Sequence, residues 1–129
     1  MTKSDWMDLA VLERKKYNYL SEVMDLSRQL GEALDRNDDV SVRMLVSMRQ
    51  DPILGLEEVK RAIEAKQNSM TPEDRERLAT PAGEAAPQEA EETAYWNQAG
   101  SARRLLERIL ELDRQLSRRL AGNDSFYGR

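Results

Sequence analysis

Carboxylates are the plentiful side chains that could do chemistry in this 129-residue chain, in which histidine and cysteine are both absent. Without imidazole the chain lacks the commonest general base and the commonest transition-metal ligand. Without thiols it has no Cys nucleophile, no disulfide and no thiolate metal site. Tight binding of zinc or iron is therefore not expected, and the Glu-x-x-His pairs of ferritin-like di-iron bundles cannot be made. Among the many acidic residues are Glu57, Glu58, Glu107 and Glu111. Two of these on one helix face could hold a hard cation, but the ordinary state of such residues is solvated and paired with nearby Lys or Arg. Asp113 is the one carboxylate near the apolar edge of its helix, and a partly buried salt bridge is the expectation there. No glycine-rich phosphate loop, G-x-S-x-G or H-E-x-x-H occurs. The chain reads as a non-enzyme, with no catalytic residue, no metal and no cofactor.

Charge and hydropathy narrow the partners. Arg103, Arg104, Arg108, Arg114, Arg118 and Arg119 make the last segment locally basic, but Glu107, Glu111 and Asp113 interrupt them at spacings that form ion pairs within a helix. With a net charge of −4, nucleic acid is not an expected partner. Apolar runs are only a few residues long, so no membrane span is expected. "MTKSDWMDLAVLERKK" has charges within its apolar run and does not read as a signal peptide. A cytoplasmic location is the expectation.

The elements that would position these groups are helices. Charged residues are 34% of the chain and aromatics 5%, a balance that suits long surface helices better than sheets. The first segment, capped at Ser4 or Asp5, runs to about Asp35 with Leu9, Leu12, Tyr19, Val23, Leu26 and Leu30 as its stripe. "DRNDD" (35–39) is a short turn that makes the next helix antiparallel. That second helix has the seam Leu45, Met48, Leu56, Val59 and Ile63, with a kink or an end-to-end junction at Pro52. "TPEDRERL" opens a small helix with Thr71 as cap and Pro72 in the first turn; the Asp74 carboxylate is placed to reach back. Residues 79–92 read as a mobile acidic Pro/Ala-rich linker. The last helix runs from about Glu89 to Ala121 on Leu105, Ile109, Leu112, Leu116 and Leu120, and residues 123–129 form a flexible tail. The expectation is a single all-α domain, residues 1–129: an elongated antiparallel bundle of three long helices, the second kinked at Pro52, plus one short helix.

The segment "NDDVSVRMLVSMRQDP" (37–52) carries more apolar residues than one seam needs. On a helical wheel they leave only a thin polar strip around Arg43, Ser47, Gln50 and Asp51. Two readings follow. The segment is the centre of a three-helix core, or it borders a surface that receives a partner. On the second reading Val40, Met44, Met48 and Leu106 are the partner-binding residues, the methionines suiting an adaptable surface.

A long first helix, a short Asn/Asp turn and then "DDVSVRMLVSMRQDPILGLEEV" resembles the FlgN/FliT-type flagellar export chaperones over about Leu9 to Lys66. Asp38 and Asp39 open the helix in that pattern, and Arg49 lies among its apolar positions; the Pro-rich insert and Pro52 depart from it. The resemblance implies a small cytoplasmic helper that binds the helical terminal segment of a flagellar hook- or filament-associated subunit as its protein client. The alternative is a structural coiled-coil or bundle protein that self-associates into a homo-oligomer through the same surface.

Overall fold

The computed structural model describes residues 1–79 and 89–122. All regular structure among them is α-helical: α1 (Lys3–Asp35), α2 (Asp39–Met48), α3 (Gln50–Asn68), α4 (Pro72–Ala79) and α5 (Ala90–Gly122). At 1.5 Å per residue α1 and α5 are each about 50 Å long.

α1 begins earlier than its sequence suggests. Thr2 is the N-cap, accepting from the Asp5 N–H, while the Asp5 side chain accepts from the Thr2 N–H. This reciprocal pair satisfies two amide donors that a helix start leaves open. At the other end Asn37 takes a positive φ of 55°. Its N–H reaches the Leu34 carbonyl and the Asp38 N–H reaches that of Ala33, a Schellman closure in which Asn tolerates the left-handed conformation. Asp38 then caps α2 through the Ser41 amide and hydroxyl.

The second long segment is two helices meeting end to end. Proline's ring clashes with the carbonyl four residues earlier; for Pro52 that residue is Met48, where α2 stops. Pro52 itself falls in the first turn of α3, where a missing N–H leaves no bond unmade. The Arg49 N–H still reaches the Leu45 carbonyl and the Ile53 N–H that of Arg49.

Three clusters record the topology. Trp6 and Leu9 of α1 pack with Tyr95 of α5. Leu20, Val23 and Met24 pack with Ala102, Leu105 and Ile109. Leu30 and Ala33 pack with Val42 and Leu45 of α2 and with Leu116 and Leu120. Residue numbers on α1 and α5 rise together, so these two are parallel. Lys66 Nζ of α3 lies 2.8 Å from Asp5 Oδ1 near the start of α1, so α2–α3 runs the opposite way. The bundle is up-down-up, each long segment antiparallel to the next. α1 packs along α5, α3 and α2, whereas α3 and α5 make little backbone contact with each other.

The linker expectation divides. Ala79 closes α4 and Ala90–Glu92 open α5, with Glu92 buried; those ends are helix, because Trp6, Tyr95 and Trp96 offer that turn something to pack on. Residues 80–88 of the proposed linker and the proposed tail, 123–129, lie outside the described residues.

Candidate functional site

Asp38 fixes where α2 starts and thereby which side of it meets the core. Val42 and Leu45 point inward, 1% and 5% exposed, against Leu30, Ala33, Leu116 and Leu120. Val40, Met44 and Met48, at successive four-residue steps, occupy a row away from these and are 71%, 55% and 47% exposed. The crowded segment is therefore not a helix buried all round. One face is covered by α1 and α5, and the apolar row stands in solvent. Met48, expected on the seam, belongs to this row, since the seam at the junction is filled by Pro52 and Gly55.

Leu106 is placed elsewhere. It is half-buried against the cluster of Leu20, Leu105 and Ile109 and lines a groove of about 410 Å³ between α3 and α5. Leu56 and Ile63 of α3 also line this groove, Leu20 is part of its lining from α1, and Lys16, Lys60, Glu64 and Gln67 supply its polar groups. Leu56 is thus half-buried on a groove wall instead of being sealed in a seam. The four residues read from sequence as one surface therefore lie in two places: Val40, Met44 and Met48 on the α2 row and Leu106 on the α3/α5 groove.

Between them Arg49 crosses to α5, its Nη2 2.8 Å from Asp113 Oδ1, with side chains 16% and 34% exposed. The partly buried salt bridge expected of Asp113 is this one, and its partner is the Arg of the α2–α3 junction. Glu111 is exposed and pairs with Arg114, which holds its carboxyl below the usual range. Among the described residues no group of three or more acidic side chains is placed to hold a metal ion. No helix among them is long and apolar enough to cross a membrane.

A third place had no counterpart in the sequence reading. Trp6, Tyr95 and Trp96 meet at centroid distances of 4.9–6.2 Å. The Arg77 guanidinium of α4 lies over both indoles, 5.8 and 5.7 Å from their centroids. It also pairs with Glu92, whose Oε1 accepts from Trp96 Nε1–H at 3.4 Å. Burial, with the charge of Glu13 nearby, pushes the Tyr95 phenol up to about 12, so it stays neutral. Asp74 does not reach back over its own helix start: the Met1 amino group lies 3.1 Å from its Oδ1, while Thr71 Oγ1 accepts from the Asp74 N–H. The pair "YW" at 95–96 was the available signal, but nothing in spacing could tell that Trp6 and Arg77 would join it.

No protein-family model, curated protein or solved structure matches the chain. The resemblance to flagellar export chaperones is neither supported nor contradicted by this.

Proposed function

We propose that this chain is a non-catalytic helper protein that binds an amphipathic helix of a protein client. Specifically, it acts as a cytoplasmic export chaperone of the FlgN/FliT type, holding the helical terminal segment of a flagellar hook- or filament-associated subunit. The observation that carries this reading is the uncovered row Val40, Met44 and Met48 on a helix whose opposite face is already packed. Exposed apolar residues scattered singly need no explanation; three in register on one helix make a ridge of the kind that meets another helix through i, i+4 anchors. Methionine side chains adapt to partners at low cost. The α3/α5 groove, with Leu56, Ile63 and Leu106, offers a second apolar seat on the same molecule.

The test is titration calorimetry of the purified chain against hook- and filament-associated subunits of its own source, each with and without its terminal helical segment. Binding that needs that segment, and that falls at least tenfold in Met44→Ser/Met48→Ser with an unchanged melt, is the expected result. Sedimentation of the chain alone decides the rival. A stable dimer that the double substitution dissociates, without subunit binding, makes this a self-associating bundle protein and overturns the chaperone reading. Neither binding nor self-association would overturn both.

A further inference from the structure

The geometry points to a second binding site: the platform of Trp6, Tyr95 and Trp96 accepts an arginine-bearing helical segment, and α4 occupies it in cis as a built-in ligand. This site lies near the start of α1, roughly 35 Å along that helix from Leu30, where α2 packs, and does not depend on the reading given for α2.

The first support is how α4 is held. None of its residues is buried. Its apolar hold is Leu78, with Met70 just before it, both only partly buried against Trp6, Leu9 and Tyr95. Its polar hold includes the Asp74 contact with Met1 and the Arg77 guanidinium. A helix of eight residues is far too short to persist unaided in water, so docking is what keeps it formed.

The second support is the chemistry of the cage. A planar guanidinium over two indole faces, with a carboxylate at its edge, is a recognition geometry that suits arginine better than lysine. Glu92 is buried beside the indoles, so its charge acts in a medium poorer in water than the surface. The ligand is therefore defined by the present occupant: a short amphipathic segment with Arg followed by Leu. A partner segment with that pair would make the same contacts and compete with α4. The tether that holds α4 near its site raises its effective concentration to the millimolar scale, so an outside ligand must overcome this.

The chain's two tryptophans, Trp6 and Trp96, both lie in this platform, so tryptophan emission, excited selectively over tyrosine, reads this site and no other. The probes are a blocked peptide of residues 70–79 and the same peptide carrying Arg77→Gln. The proteins are the full chain and its Arg77→Ala/Leu78→Ser variant, which frees the platform. Expected is a variant with wild-type helicity less about one short helix and red-shifted emission. The native-sequence peptide should reverse that shift saturably, and the Arg77→Gln peptide at least tenfold more weakly. The wild-type chain should respond at least tenfold more weakly than the variant. If the double variant loses its fold, Arg77→Gln in the full chain takes its place, with a response above wild type expected. Equal response to both peptides, no response, or a wild-type chain as responsive as the variant would overturn the proposal.

Discussion

Gly55 of α3 lies directly against the ring of Tyr19 on α1: a Cβ at Gly55 would fall within 2.8 Å of three ring carbons, Cδ1, Cε1 and Cζ. Glycine inside a helix ordinarily sacrifices roughly 1 kcal/mol against alanine. Here its missing side chain is what lets α3 close on α1. Gly55→Ala is expected to destabilise by about 1–3 kcal/mol, since the ring must leave its position. Tyr19→Ala should remove that penalty, leaving the Gly55→Ala step neutral or favourable. A urea-unfolding double-mutant cycle checks this.

The α2 row and the core should respond oppositely to truncation. Leu30 is fully buried, and Leu30→Ala is expected to cost about 2–5 kcal/mol. Met44→Ser/Met48→Ser should cost less than about 1 kcal/mol, mostly helix propensity. Leu56→Ala, on the groove wall, should fall between at about 1–2 kcal/mol. Thermal melts of the three variants give the order.

Arg49 and Asp113 join the α2–α3 junction to α5. Arg49 Nε is buried without a hydrogen-bond partner, so the Asp113 carboxylate is what this guanidinium answers to. Asp113→Ala is expected to cost about 1–3 kcal/mol by leaving a partly buried cation unmatched. Arg49→Ala/Asp113→Ala should cost less than the sum of the single changes by at least about 0.5 kcal/mol. Additive effects in chemical denaturation would show the pair to be uncoupled.

Acid should loosen the start of α1. The Lys66 hydrogen bond, then the Thr2 amide, hold Asp5 down at about 2. Its folded value lies below the ordinary aspartate value of 3.8, so its contribution is complete above about pH 5 and fades as pH falls through 3.8 toward 2. Lys66 is raised by the same contact, so its contribution holds at neutral pH and is lost only in strong alkali. Asp5→Asn should cost about 1 kcal/mol at pH 7, a discounted figure because the pair is partly solvated. It should also flatten the stability profile between pH 2 and 5, read from melts across that range. Asp38, lowered by Ser41, will keep some of the slope.

The helices and their order were legible because Leu9, Leu20, Leu30, Leu105, Ile109 and Leu116 repeat with helical period, and period survives any tertiary arrangement. The α2–α3 break was legible because Pro52 acts locally on Met48. The Thr2 cap was also present as a Thr-x-x-Asp spacing, though Ser4 and Asp5 competed for it. What stayed hidden depends on which surfaces meet. A wheel counts apolar residues on every side of 37–52, but only the placement of α5 decides that Val42 is covered and Met44 is not. Leu106 looked like a neighbour of the methionines and instead lines a groove with Leu56 and Ile63, because at that level α5 stands across from α3 and not from α2. Arg77 resembled any solvated charge of a polar helix until Trp6 and Trp96, far apart in sequence, closed around it.

Since α1 is the element on which all the others lean, the order of synthesis has a cost built into it. Leu20, Val23 and Met24 are made first, yet their cover includes Ala102, Leu105 and Ile109. At about 5–20 residues per second, some 80 residues of elongation mean several seconds to over ten in which that stripe has only α2–α3 to lie against. The nascent hairpin would present a sticky flank throughout that interval. Synthesis of α5 is what ends the exposure.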